Sequence, residues 1–507
     1  MESMGMDYFG GKRLKMGIWG LGRGAGFVNS AKALGIDIVA GCDFHDMARE
    51  KFKAICPDAV LTADEDEFLK MDIDAVLIAT YCPDHAKHAI KALNAGKHVM
   101  SEVTAFFTPA DGVALVETVE KTGLVYNLAE NYPFTKLHMY LAKLYKDGVF
   151  GELTYAEFDY VHGGANPCVS YPDGTPVEPG NQLHFWRGWL NYHYYCTHSL
   201  GPVMVISGLR PEKVTAFPED VLSLGCVHGK GRKVDGIMPN LAAFAPSLIQ
   251  MSNGGIVRNL MGGSSADSHM RRFFGTKAAA DGNRLTLGAA SAYGTVIDIN
   301  PEWEDMGKEA ENAGHGGGDF WELYYFARQI LTGEKAPWDI YAASDVTLAG
   351  IQALRSAVNE GEPMEIPDFR SKEVRDRYRN DHWMAPHIDT ARIFPDDQDI
   401  SITGDFAKAC KEAFPLIGLV RSALDGMRVY DAVCNEQKII VINKVKELRA
   451  KLPDIVQNYK RLRKIADAYP ESPGGIALLE KLELGEEKLV LDQAALTEKL
   501  NNFLLNA

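Results

Sequence analysis

Apolar positions in the first 150 residues come in short unbroken runs, at 16–19, 36–41, 73–80, 98–103 and 124–129. Strands buried on both faces of a parallel sheet read this way, without alternation. Between the runs, 27–34, 47–55, 86–95, 109–122 and 136–146 read as helices, and Gly96, Gly123 and Gly148 stand where three of them stop. Strand and helix alternating at this length predict a doubly wound α/β sheet over residues 1–150.

Beyond Gly151 the pattern changes. Residues 152–162, 214–217, 242–251, 255–261, 271–275 and 284–287 read as strands with glycine turns between several of them. They predict an α+β domain over 151–370 with a mostly antiparallel open sheet, completed by helices at 320–331 and 342–360. An insert rich in proline, glycine and aromatic residues at 163–187 interrupts it, and loops of this length in compact domains are commonly binding loops. Residues 371–507 form a helical extension. There Val441, Val445, Leu448, Leu452, Ile455, Tyr459 and Leu462 repeat at the 4-3 spacing of a helix seam. Pro453 interrupts that seam and predicts two helices or a kink; the stripe suits the chain's own core and an oligomer contact equally well.

Charge narrows the partners. With 53 basic and 68 acidic residues the formal net charge is −15, without a basic run, so the footprint of a nucleic-acid or anionic-membrane binder is missing. The eight cysteines are scattered without C-x-x-C spacing, which suits a reducing compartment rather than a disulfide framework. The first 15 residues lack a signal-peptide core. These features predict a cytoplasmic protein that acts on small molecules. An open sheet face in the second domain predicts a homo-oligomer.

Candidate chemistry begins at the first turn. Gly20, Gly22 and Ala25, with Arg23 and Gly24 between them, fit the dinucleotide fingerprint between a strand and a helix. The first glycine makes the turn, the second admits a pyrophosphate, and phosphates sit on the helix N-terminus. The second strand ends at Asp43, about 20 residues further on, where an acid bonds the ribose 2′-OH. An acid there, with no arginine immediately after it, favours NAD over NADP.

Ala79-Thr80 with Pro83 and His85, the segment Gly96 to Val99, and Glu102 then resemble the glucose-fructose oxidoreductase, inositol dehydrogenase and MocA-type oxidoreductases. That superfamily usually carries Glu-Lys-Pro where this chain has Glu102, Val103 and Thr104; the lysine is missing. A narrower resemblance accounts for the change. Glu102-Val103, Ala129-Glu130-Asn131, Tyr195 with Thr197, His198 and Leu200 to Pro202, His315 to Gly317 with Asp319-Phe320, and Ile366 to Phe369 look like the NAD-dependent α-N-acetylgalactosaminidase branch of redox glycosidases. The likeness spans about residues 15–370 and excludes the C-terminal extension. Cys196 and Ser199 depart from that branch, so the substrate is not carried over.

The resemblance implies a glycosidase that oxidises sugar C3 transiently, eliminates at C1–C2, hydrates and re-reduces, with a carbohydrate as substrate. NAD-dependent glycosidases are known exceptions to the paired-carboxylate rule. Tyr195 and His198 are its expected acid/base centre. Thr80, His85, Glu102 and Asn131 are expected at the cofactor, and Glu130, Trp186, Arg187, His315 and Asp319 at the sugar. Blander roles stand beside these: caps for Glu130, Asn131 and Asp319, backbone pairing for His85, and core packing for the tryptophans. No H-E-x-x-H or comparable spacing supports a metal. The alternatives are an NAD-dependent sugar or cyclitol dehydrogenase and a non-catalytic NAD- or sugar-binding regulator.

Overall fold

The computed structural model describes residues 8–163, 191–218, 244–264, 268–288, 294–303, 306–384, 400–468, 470 and 473–507. The chain divides into two compact units, one of 1–163, 190–220 and 242–385, the other of 164–189, 221–241 and 386–507. The expected boundaries at 150 and 370 therefore do not coincide with these units.

In the first unit, six parallel strands form one sheet: β1 (Lys15–Trp19), β2 (Asp37–Cys42), β3 (Val60–Thr62), β4 (Ala75–Ile78), β5 (His98–Glu102) and β6 (Tyr126–Ala129). Their order is β3-β2-β1-β4-β5-β6, so the chain reverses direction across the sheet between β1 and β4. Ligands of such sheets bind outside the strands' carboxyl ends at that reversal. β4 is buried at every residue, as an unbroken apolar run requires. β3, which the sequence pattern does not announce, is only three residues long and partly exposed.

The second sheet is larger. Its strands are β7 (Leu153–Gly163), β8 (Pro211–Thr215), β9 (Phe244–Met251), β10 (Ile256–Ser264), β11 (Arg271–Gly275), β12 (Ala278–Asp281), β13 (Arg284–Leu287), β14 (Thr295–Asp298) and β15 (Met364–Glu365). They lie in the order β14-β13-β12-β11-β7-β10-β9-β8-β15. All neighbours are antiparallel except the central pair β7 and β10, which run parallel from Ile256 opposite Tyr155 to Ser264 opposite Gly163. Alternation sorts β7: Ala156, Phe158 and Tyr160 are buried against helix α1 (Thr197–Ser207), while Glu157 lies on the opposite face. On that face Arg258 binds Asp159 at 2.7 Å and Arg272 binds Glu157 at 3.3 Å. Helices α2 (Gly318–Thr332) and α3 (Ile340–Val358) pack along β6, and α3 also along β8.

The second unit contributes helices α4 (Ile400–Val429), α5 (Asn435–Ala468), α6 (Pro473–Leu484) and α7 (Gln493–Asn506). α5 runs through Pro453 as one helix, so of the two expected outcomes, two helices or a kink, the first is excluded. The seam residues Val445, Leu448, Leu452, Ile455, Tyr459 and Leu462 are fully buried in a core shared with α4, α6 and α7, which identifies the stripe as internal packing. Tyr459 Oη donates to the Gly485 carbonyl at 3.1 Å, pairing its buried hydroxyl. Among the described residues no helix is long and apolar enough to cross a membrane.

Candidate active site

A short 3-10 turn, Tyr192–Tyr195, leads into α1, and the Asn191 side chain caps it by accepting from His193 N–H at 2.9 Å. Tyr195 and His198, one turn apart, meet on the same side. Tyr195 Oη lies 3.1 Å from His198 Nε2. His198 Nδ1 lies 2.8 Å from Glu130 Oε2, just past the end of β6. The other Glu130 oxygen accepts Tyr132 N–H at 3.1 Å. Glu130 and His198 are both buried. A carboxylate at Nδ1 places the ring proton there and leaves Nε2 to exchange a proton with the phenol. The three side chains form one relay, with partly exposed Tyr195 at its outer end.

Aromatic rings enclose the imidazole. The Tyr132 ring stacks on His198 at 4.8 Å between centroids, and Tyr160 meets His198 edge-on at 4.6 Å. Tyr132 also stacks on His269 at 5.9 Å, and its hydroxyl lies 3.4 Å from His269 Nδ1. Tyr160 touches the His269 ring at 5.5 Å.

A second cluster ties the glycine turn to α2. Arg23 donates to both oxygens of Asp319, Nη1 to Oδ2 at 3.0 Å and Nη2 to Oδ1 at 2.9 Å, a fork geometry that fixes orientation. Its Nε also lies 2.8 Å from Glu102. Asn131 Nδ2 donates to Asp319 at 3.0 Å, and His315 Nδ1 lies 2.9 Å from it. Burial opposes the charge on Arg23, but Glu102 and Asp319 outweigh it and raise the guanidinium further. Burial would likewise raise Asp319, yet the hydrogen bonds from His315 and Arg23 hold its carboxyl at about 2. Glu322, one turn further along α2, is fully enclosed; burial, then Asp319 and Glu102, push its carboxyl well up. Neither Glu322 oxygen finds a hydrogen-bond partner among the described residues. α2 approaches this cluster through Gly318, where a Cβ would come within 2.3 Å of the Asn131 carbonyl oxygen.

The glycine turn fits a dinucleotide. Gly20 has φ 94°, and a Cβ there would strike the Ala79 carbonyl oxygen at 2.3 Å, so the turn hugs the end of β4. At Gly22 a Cβ would meet nothing within 4 Å, leaving the open space that a phosphate needs against backbone. Asp43 accepts from Leu21 N–H at 2.8 Å and His45 N–H at 2.9 Å. Those bonds fix its carboxylate beside the turn, with lone pairs left for a ribose hydroxyl.

Of the residues singled out in the sequence, Tyr195, His198 and Glu130 come together in the relay. Arg23, Glu102, Asn131, His315 and Asp319 come together in the ionic cluster. Asp319 there is engaged on both oxygens by protein groups, and Glu130 is turned to His198. Thr80 Oγ1 lies 2.8 Å from His88 Nδ1. The buried ring of His85 spans the carbonyls of Thr80 and Thr104 at 3.1 and 3.0 Å, and burial pushes its protonation down. Gly24 and Ala25 continue the turn toward the next helix. Trp186 and Arg187, with the 163–187 insert apart from Gly163, lie outside the described residues. Sequence reasoning missed Tyr132, Tyr160, His269 and Glu322. Only Tyr132 had a signal, its place directly after Glu130 and Asn131.

Comparison with known proteins adds the following. Residues 14–130 match the oxidoreductase family model with an NAD-binding Rossmann fold, and residues 291–375 match the C-terminal domain of glycosyl hydrolase 109. A glycosyl hydrolase family 109 protein of Shewanella putrefaciens is 26% identical over 370 residues, 66% of this chain and 80% of that protein. An alpha-N-acetylgalactosaminidase of Shewanella oneidensis is 27% identical over 372 residues, with the same coverage. Among solved structures, levoglucosan dehydrogenase in complex with NADH and L-sorbose superposes with a TM-score of 0.56 at 18% identity, over 71% of this chain and all of that one. Scyllo-inositol dehydrogenase from Lactobacillus casei, with NAD(H) and scyllo-inositol, superposes with a TM-score of 0.53 at 18% identity, over 70% and 99% of the two chains. The fold is that of these oxidoreductases.

Proposed function

We propose that this NAD-dependent, oxidoreductase-fold enzyme, which joins an NAD-binding Rossmann domain to a glycosyl hydrolase 109 C-terminal domain, hydrolyses a glycoside through transient oxidation at sugar C3. NAD, when bound, supplies what side chains lack, taking hydride from C3 and later returning it. Gly20, Gly22, Arg23, Gly24 and Ala25 would hold its pyrophosphate and Asp43 its adenosine ribose. Thr80, His85, Glu102 and Asn131 would line the nicotinamide end.

The observation that carries the reading is the relay of Tyr195, His198 and Glu130. Where related dehydrogenases place a lysine to accept the hydroxyl proton, this chain has Val103. Tyr195 takes the proton of the 3-OH and passes it to His198 Nε2, and buried Glu130 balances the imidazolium that results. The 3-ketone then acidifies the proton at C2, whose removal expels the group at C1. Hydration and the reverse proton path through Tyr195 restore the 3-OH.

The test is a panel of aryl α- and β-glycosides in D2O with NAD present, following phenol release, NADH absorbance and deuterium at C2 together. Phenol release with C2 deuteration and no accumulating NADH is expected. Accumulating NADH without phenol would make the protein a sugar dehydrogenase instead.

A further inference from the structure

Two adjacent arginines on β11 are treated differently by the fold. Arg272 faces outward, where Glu157 at 3.3 Å and Asp281 at 3.2 Å balance it. Arg271 lies on the other face with buried Phe273, and its guanidinium makes no hydrogen bond or ion pair among the described residues. Burial works against its charge and, only partly offset by Tyr132, lowers the guanidinium from its ordinary value. A half-buried cation without a counter-ion is costly to keep unless something else supplies the anion.

Arg271 lines a groove of about 360 Å³ between β11, the helix Lys136–Lys146 and the turn His315–Gly317, all within one compact unit. The acids at this groove are already engaged: Lys136 Nζ holds Glu302 at 2.5 Å and Glu311 at 2.7 Å. Its unmet groups are donors. Trp303 Nε1 is buried without an acceptor, and its ring is wedged against Gly317, where a Cβ would come within 2.3 Å. The exposed Asn300 side chain lines the same groove. A guanidinium and an indole N–H that both lack acceptors suit a group that only accepts, as a carboxylate does. The groove also adjoins the candidate active site. Thr135 in its wall caps the turn that starts at Tyr132, whose ring stacks on His198, and Gly316 follows His315, which binds Asp319.

We propose that this groove binds a carboxylate carried by the glycoside, on the sugar or on the group it sheds, with Arg271 as the fork that receives it; the assignment deepens the glycosidase reading above and rests on it. The substrate class is then an acidic glycoside, and Arg271 holds it beside the relay without entering the chemistry.

The test uses the full-length, NAD-loaded enzyme as wild type, Arg271→Met and Arg271→Lys. Aryl glycosides come in matched pairs, carboxylate against carboxamide, with the group either on the aryl ring or at sugar C6. Phenol release gives kcat and KM. Wild type is expected to favour the carboxylate of one pair by about tenfold or more in kcat/KM, chiefly through KM. Arg271→Met is expected to lose that preference while carboxamides keep kcat/KM within about threefold, and Arg271→Lys, with charge but no fork, to retain part of it. The pair that shows the preference tells whether the carboxylate sits on the sugar or on the leaving group. Inorganic sulfate, compared with chloride at equal ionic strength, is expected to compete with the favoured carboxylate and to leave the carboxamides alone. A wild type that cleaves both members of each pair equally well, or an Arg271→Met that keeps the preference, overturns the assignment although the glycosidase reading stands. Sulfate binding that Arg271→Met abolishes, with no gain for either carboxylate, would make the groove a site for a free anion and the substrate assignment wrong. If Arg271→Met fails to fold, the sulfate arm decides: equal inhibition of carboxylate and carboxamide overturns the assignment. If wild type releases no phenol from any member, the glycosidase reading falls and takes this assignment with it.

Discussion

Glu130 Oε2 and His198 Nδ1, 68 residues apart in the chain, lie 2.8 Å apart in the fold. This contact decides which nitrogen of His198 faces Tyr195. Glu130→Gln keeps the shape but presents an amide that can satisfy the opposite tautomer. It is expected to lower kcat by about 100-fold or more while the Kd for NAD stays within about twofold. Steady-state kinetics with equilibrium NAD titration check both; equal loss in the two would mark a structural role.

Tyr195→Phe removes the outermost oxygen of the relay and leaves its ring in place. First-turnover NADH formation is expected to fall by about 100-fold or more, and thermal stability to change by less than about 1 kcal/mol. Stopped-flow NADH absorbance reads the first quantity and chemical denaturation the second.

Asp319 makes acid stability readable. Its folded carboxyl is held at about 2, below the ordinary 3.8, so the ionised form favours the fold above that ordinary value. The contribution is fully present at neutral pH and fades as pH falls from about 4 toward about 2. Asp319→Asn is expected to destabilise the cofactor-free protein at neutral pH by about 2 kcal/mol, with the gap to wild type narrowing across that window. Denaturant midpoints measured from neutral to acid pH check this; a gap constant with pH would contradict it.

The helical unit has its own core. Leu448→Ala, at a fully buried seam position, is expected to cost about 2–5 kcal/mol in denaturant unfolding while NAD affinity is unchanged.

Local chemistry explains which parts of this fold could be read from sequence. The helices Pro109–Thr122 and Lys136–Lys146 match expectation residue for residue because their ends are written in side chains. Thr108 accepts from Asp111 N–H, Thr135 accepts from His138 N–H, and Gly123 adopts a left-handed φ of 64°. The Gly20 turn was legible for the same reason. β3 was not, since three half-exposed residues carry no periodicity. Nor was the parallel pairing of β7 with β10, because strand direction depends on partners distant in sequence. Tyr195 and His198 were legible through the family resemblance, and their 3.1 Å contact follows from their spacing along one turn. His269 was not, as Tyr132 is 137 residues away and nothing local marks the histidine. Pro453 does not split the helix in two because a proline removes one backbone bond, while the buried stripe on both sides of it holds the helix together.

β7 joins two features treated separately above. Tyr160 points from one side of this strand to the histidines, and Glu157 points from the other to Arg258 and Arg272. Because successive residues face opposite ways, inserting or deleting one residue ahead of Tyr160 would turn the ring outward and send an acid inward at one stroke. The spacing from Glu157 to Tyr160 along β7 is therefore fixed by both faces at once: the strand is the ruler against which both are measured.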